Sequence, residues 1–435
     1  MTPAATQSLA RLDRLPRWPW SRGLLVNLGG SFFFAFFDIV VIGASLPIII
    51  KQFGVSAQMG GWAITAGLVG LIIGSFIGAW LASHKTRVFA LQSALWCFSL
   101  GMLLSVFAPE LAWLIVARFI AGLGTGADLA IAVTYVAEIS PQRARGRITG
   151  FTTICGYVGI AIVPFLGFFL VDLVSWGWRI LFAFGALGAV LIVLTRRHMP
   201  PSPRLLAERG EDEQLQALVA QAEDRVRARI GELPPVAPPT PSGIVRRPAI
   251  WVISIFTIAW VFYYFGNYGW LTVAPTLFTQ NGFAITESLG YIAFANCGLV
   301  VGAVASYFLA ERVERKWLLI GTLVVWAIAL MSIGVIGTSS AIAVLGFVAS
   351  FTIGLTIPIF YAFTSEHFPS HTRPWGMAWT DGLGHAGGAI APYILIGLAL
   401  PGAFGAMALS GVAAAVMILF TTRTRGRSLE ELTGG

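Results

Sequence analysis

Residues 24–50 read LLVNLGGSFFFAFFDIVVIGASLPIII, and Asp38 is the one ionisable side chain in that run. An α-helix needs about 20 mostly apolar residues to cross the hydrocarbon layer of a bilayer. The stretch therefore predicts a membrane-spanning helix with a carboxylate near its middle. Working outward, five further runs of this kind follow at 60–82, 88–107, 111–136, 148–173 and 178–195. Six more lie at 250–278, 289–310, 317–336, 341–364, 376–400 and 404–421. Many contain Gly or Pro, which membrane helices tolerate because neighbouring groups re-satisfy the backbone. The fold class expected is an all-α membrane protein of twelve transmembrane helices in two six-helix bundles.

Composition agrees. Of 435 residues, 57% are hydrophobic and 11% charged, against roughly 25% charged in a soluble domain. The net charge of +8 suggests no nucleic acid, because the basic residues sit between apolar runs and report topology. Lys85 and Arg87 follow the second run; Arg143, Arg145 and Arg147 the fourth; Arg312, Arg315 and Lys316 the eighth; Arg373 the tenth; and Arg423, Arg425 and Arg427 the last. The loops after the third, ninth and eleventh runs hold no Lys or Arg. Basic loops face the cytoplasm, so a multi-pass protein of the cell's inner (plasma) membrane is expected, with both termini cytoplasmic. Cys97, Cys155 and Cys297 lie in apolar runs and read as small buried residues. No cleavable signal peptide is evident. No nucleophile–base pair, zinc-ligand spacing or phosphate loop is present, so neither enzyme, cofactor nor metal site is expected.

Three segments are read from this pattern: 1–195, an N-terminal bundle; 196–249, a polar cytoplasmic linker, helical between Glu208 and Glu232 and Pro-rich from Pro234 to Pro241; and 250–435, a C-terminal bundle with a tail. The two bundles repeat at an offset of 228 residues. Glu138, Pro141 and Arg145 recur as Glu366, Pro369 and Arg373, and Gly74, Leu81, Ala82 and Arg87 recur as Gly302, Leu309, Ala310 and Arg315. Duplicated halves joined by a linker suit rocking about a site at their interface, which is alternating access.

Several motifs carry a resemblance. Leu309–Lys316 reads LAERVERK, Tyr135–Gly146 reads YVAEISPQRARG, Pro200–Arg204 reads PPSPR, and Arg425–Glu431 reads RGRSLEE. In this order they resemble the major facilitator superfamily, in its sugar-porter and organic-ion branches. Departures narrow the branch. Ser83 stands where the loop after the second span usually has an acid, and Pro201 where Glu is usual. Thr153 replaces the fifth-span Gln of sugar porters, and no Gln lies in 256–267. Tyr263–Pro275, Trp375–Trp379 and Gly387-Gly388 resemble transporters of aromatic acids, nicotinate and similar ions.

Ionisable groups at membrane depth are expensive and default to functional roles. Asp38 and Arg118 match, by this resemblance, a first-span acid and fourth-span Arg associated with proton coupling. Their separation would let Asp38 take up a proton; a permanent structural ion pair is the other reading. Asp128, in the small-residue run from Gly122, is a second titrating site, a substrate contact or a packing hydrogen bond. Asp381 and His385, four residues apart, share a helical face. His385 stands where organic-acid relatives have Arg, an anion contact; a satisfied pair within the bundle is the alternative. Asn267, Tyr263, Tyr264, Trp270, Tyr157, Asn296, Trp379 and Gln92 are candidate cavity residues, against ordinary packing. Glu138, Arg145, Glu311, Arg315, Glu366 and Arg373 are read as cytoplasmic charge pairs that latch the outward-open state, or as topology charges alone.

The expected function is proton-coupled symport of a small organic acid by a monomer, with protons, a small-molecule substrate and lipid as its partners. Proton–sugar symport and drug or metabolite antiport are the alternatives. The residues around Gly156–Pro164 match the efflux pattern only loosely, and a linker of this size is too short for a sensing receptor.

Overall fold

The computed structural model describes residues 2–170, 176–195, 199–236, 250–309, 312–368 and 373–422. A short helix α1 (Pro3–Asp13) precedes six long ones: α2 (Arg22–Phe53), α3 (Ala57–His84), α4 (Arg87–Val106), α5 (Leu111–Ile139), α6 (Gln142–Leu170) and α7 (Gly177–Thr195). The linker forms α8 (Pro203–Arg209) and α9 (Asp212–Ile230). The second half opens with α10 (Ile250–Tyr268), which runs through a π turn (Gly269–Val273) into α11 (Ala274–Gln280). Then come α12 (Ile285–Leu309), α13 (Arg315–Ile336) and α14 (Ser339–Glu366). After these, α15 (Arg373–Met377), a second π turn (Ala378–Gly382) and α16 (Leu383–Leu395) form one helical passage before α17 (Leu400–Leu419). No strand occurs among the described residues.

Hydroxyl caps set the starts. Ser21, Ser56, Thr86 and Thr338 each accept from the backbone N–H three residues on, satisfying a donor that helix geometry orphans. Gly54 and Gly337, at φ 63° and 61°, end α2 and α13 in the left-handed conformation, which glycine adopts without a Cβ clash. Eleven passages among the described residues are long and apolar enough to cross a membrane. The remaining expected span, 376–400, falls on Arg373–Leu395, which carries the second π turn and both Asp381 and His385. Helix α8 and Gly210 interrupt the single linker helix expected from Glu208.

The repeat is visible at atomic contacts. Lipid is as apolar as a leucine side chain, so membrane helices associate by close packing of small residues. A Cβ at Gly70 would meet the Phe119 carbonyl, and at Gly298 the Phe347 carbonyl. Gly74 faces the Leu123 carbonyl and Gly302 that of Phe351; Gly126 faces Leu71 and Gly354 faces Leu299; Gly159 faces Phe33 and Gly387 faces Val261. Every one of these contacts keeps the 228-residue offset. So do two ion pairs: Arg87–Glu138 at 2.9 Å and Arg315–Glu366 at 2.8 Å.

Each of these ion pairs lies within its own half. Arg87 holds Glu138, which also accepts from Ser202 at 2.6 Å. Arg145 reaches Asp13 at 3.5 Å. Glu311 and the Arg373 side chain lie outside the described positions.

The halves meet where α3 packs on α16, α6 on α12, and α2 on the first π turn and α11. The named contacts crowd toward the face away from the termini. There Gly43 abuts the Thr272 backbone, Gly61 meets Pro392 and Trp62 packs edge-on to Tyr393 at 4.6 Å. The Thr65 hydroxyl donates to the Ala389 carbonyl at 2.7 Å. Nearer the terminal face, Phe76 meets Trp379 at 5.8 Å.

A second, smaller core covers the terminal face of the first half. Ala5, Leu12 and Leu15 pack with Leu215, Val219, Ala222 and Val226 of α9 and with Tyr135 and Ile139 of α5. Its hub is Glu223, 3% exposed, which accepts from Arg11 at 2.5 Å and Arg14 at 2.6 Å. Burial opposes its ionisation, but the two arginines outweigh that and hold the carboxyl below the usual range.

Two outcomes are expected. Replacing Gly70 or Gly298 by Leu lowers thermal stability in detergent by about 1–3 kcal/mol through overpacking, whereas Gly150→Ala, which meets open space, is neutral. Glu223→Gln loosens α1, seen as faster amide exchange at pH 7. With Arg11 a third exposed, the local loss is roughly 1–3 kcal/mol. In wild type the ionised form favours docking, so docking is complete above about pH 4.3 and is lost as pH falls through the depressed value.

Candidate functional site

Two polar centres lie at membrane depth, one in each half. In the first, Arg118 of α5 donates to Asp38 Oδ1 of α2 at 2.5 Å and to the Asp38 carbonyl at 3.2 Å. The Thr125 hydroxyl donates to Asp38 Oδ2 at 2.9 Å. Both charged residues are 2% exposed, and the guanidinium lies 5.6 Å from the Phe182 ring centre. Charges this deep persist only when paired and hydrogen-bonded. Small residues make the approach possible: Gly67 leaves room beside the guanidinium. Asp128, ten residues along α5, accepts from the Ser31 hydroxyl of α2.

This centre has no copy in the second half. The positions 228 residues beyond Asp38, Arg118 and Thr125 are Gly266, Gly346 and Ile353. The second half holds an aromatic cluster with one acid. Asp381 Oδ1 accepts from Tyr264 at 2.6 Å and from Tyr361 at 2.8 Å. The Tyr264 ring packs on His385 with centres 4.1 Å apart, and Tyr268 packs on its other side at 5.8 Å. His385 Nδ1 contacts the Asp381 carbonyl at 2.8 Å. A carbonyl only accepts, so Nδ1 carries the hydrogen and Nε2 is left for another partner.

Tyr157 Oη, Tyr263 Oη, Asn267 Oδ1 and Trp326 Nε1 are buried with no hydrogen-bond partner among the described residues. Tyr263 packs on Trp326 with ring centres 5.7 Å apart. Tyr157 and His385 occupy equivalent positions in the repeat, so one site of the ancestral half supplies a phenol on one side and an imidazole on the other.

Not every expected cavity residue lies here. Trp270 donates to Ser350 at 2.9 Å and Ser350 to Asn296 Oδ1 at 3.3 Å. These residues tie α12 and α14 to the first π turn within the second half. Trp379 is 47% exposed beside Phe76, because the second π turn rotates it outward. Thr125, Tyr361, Tyr268 and Trp326 were not anticipated. Thr125 lies two turns beyond Arg118 on one helical face, a legible signal; the others look like ordinary apolar-span aromatics.

Known proteins share both sequence and architecture. The chain is 29% identical over 384 residues to the putative metabolite transport protein YyaJ of Bacillus subtilis, covering 86% of this chain and 85% of that one. It is 26% identical over 439 residues to the niacin transporter NiaP of Acinetobacter baylyi, covering 98% and 99%. The inward-open structure of the xylose transporter XylE from E. coli superposes with a TM-score of 0.73 at 21% identity, over 94% of this chain and 98% of that one. The sequence profile described as Major Facilitator Superfamily matches residues 28–308 and 297–434, and the chain belongs to that superfamily of membrane transporters.

Proposed function

We propose that this transporter is a proton-coupled symporter of a small organic acid, seated in the bacterial inner membrane with both termini in the cytoplasm. The observation that carries the reading is the buried Asp38–Arg118 pair, built in one half and absent from its repeat. A structural brace would be expected in both halves, as Arg87–Glu138 and Arg315–Glu366 are. A pair unique to one half, with both members buried, suits a proton site.

The physical cycle is short. With the halves sealed at the face away from the termini, through Gly43–Thr272 and Thr65–Ala389, the conformation is inward-facing. Rocking opens the first half's inner face, and within that half the Arg118 side chain withdraws from Asp38. A lone carboxylate in low dielectric favours its neutral form, so Asp38 takes a proton. The freed guanidinium gives an anionic cargo a counter-charge. On the other side His385 Nε2 meets the cargo carboxylate once it holds a proton, since its Nδ1–H is committed to Asp381. Re-pairing of Asp38 with Arg118 expels proton and cargo together. The relatives support a transported cargo, and the similarity to a niacin transporter supports an acid of aromatic-ring size.

Proteoliposomes loaded with a pH dye test this with a panel of organic acids, sugars and cationic drugs. One acid is expected to drive proton entry. Asp38→Asn abolishes accumulation against the gradient yet preserves cargo exchange; cargo flux without protons, or normal coupling in the mutant, sinks the assignment. His385→Gln is expected to raise KM for that acid by roughly 10–100-fold, the size of one charge-assisted hydrogen bond, with kcat little changed. An unchanged KM would remove His385 from the binding site.

A further inference from the structure

Asp381 raises a problem that the symport reading leaves open: a carboxylate at membrane depth with no cation to match it. Among the described residues of the second half, Arg315 is engaged by Glu366, and Lys316 donates to the carbonyls of Leu419 and Thr421 at the terminal face. In the first half, Arg118 is held by Asp38. Two phenols fix Asp381 Oδ1, and no described group donates to Oδ2. The side chain is half-buried and not sealed off.

The groups facing it are specific. Tyr264 and Tyr268 come from α10, Tyr361 from α14 and His385 from α16; α3 and α17 bring no titratable side chain to this depth. Next to them stand the orphaned Tyr263 Oη and Asn267 Oδ1, both on α10 and both more than nine-tenths buried. A carboxylate oxygen beside phenol rings attracts positive charge and N–H donors, since ring faces are electron-rich. A purely anionic cargo leaves that oxygen unsatisfied.

Resting on the symport reading, we propose that Asp381 Oδ2 is the subsite for a basic nitrogen of the cargo, held through one proton. For an amine the proton sits on nitrogen. For a pyridine-type ring it is shared between ring nitrogen and carboxylate, and no bond other than this hydrogen bond forms or breaks. His385, one helical turn away and roughly 5–6 Å off, takes the carboxylate of the same molecule. The substrate class is therefore a compact acid that also carries a basic nitrogen. Tyr264 and Tyr361 act as positioning residues that aim Oδ2 inward.

The test compares uptake of three probes of one shape by the full-length protein in proteoliposomes: pyridine-3-carboxylate, benzoate, and N-methylpyridinium-3-carboxylate. The pyridine acid is expected to show a KM about tenfold or more below benzoate, the size of one charge-assisted hydrogen bond. The N-methyl compound, which keeps the positive charge but cannot share a proton, is expected to show a KM above that of the pyridine acid. Asp381→Ala should erase the preference by raising KM for the pyridine acid more than for benzoate, and Asp381→Glu should restore part of it. If Asp381→Ala does not fold, Tyr361→Phe is read instead and must raise KM for the pyridine acid more than for benzoate. Equal handling of the pyridine acid and benzoate overturns this inference and leaves proton-coupled transport of acids standing. Strong uptake of the N-methyl compound overturns the shared proton. Movement of no acid at all defeats the symport reading and this subsite with it.

Discussion

At membrane depth a polar group has no water to turn to, so each must find its partner inside the protein. The consequences run through the whole molecule. Backbone groups are satisfied within helices, which makes the chain helical from end to end of its apolar runs. Helices then touch through glycine against carbonyl, because lipid gives no reward for burying apolar side chains. The few charged groups left at that depth are answered by named neighbours: Asp38 by Arg118 and Thr125, Asp381 by Tyr264 and Tyr361. The hydroxyls, amide and indole around Tyr263 are left without such a neighbour among the described residues.

The scaffold and the chemistry obey different symmetries. Glycine–carbonyl crossings and terminal-face ion pairs recur faithfully at one offset, so both halves are braced alike and move as stiff units. The π turns, by contrast, occur in the second half alone among the described residues. A π turn widens the helix by one residue and often marks a functional site. Here one presents Thr272 to Gly43 at the seal and the other contains Asp381. The broken helices thus belong to the half with the aromatic cluster, and the buried arginine pair to the half with unbroken ones.

Much of this was legible in the sequence. Hydropathy marked eleven of the passages with ends within several residues, and Glu138, Arg87, Glu366 and Arg315 announced the duplication. Asp38 and Arg118 stood out because no neighbour in their own runs could neutralise them. Spacing said less about who pairs with whom. Glu138 was grouped with Arg145 from the same loop, but the fold brings Arg87 closer, from the start of another helix. Trp379 and Trp270 looked like cavity residues because an aromatic in an apolar helix has no periodic signal to tell inside from outside, and a π turn shifts the face it presents. Tyr361 and Trp326 were hidden for the same reason. The docking of α1 on α9 was invisible, since Glu223 reads as one of many exposed linker charges until its two arginines converge.

Tyr157 and His385 stand at the same place in the two copies of the repeat. On the proposed function, one copy of the duplicated half carries energy coupling and the other recognition. Substitutions that retune recognition would then fall on α10, α14 and α16 and leave α2 and α5 alone. Duplication would in that case let a new cargo arise by editing one half, with no need to reinvent the motor.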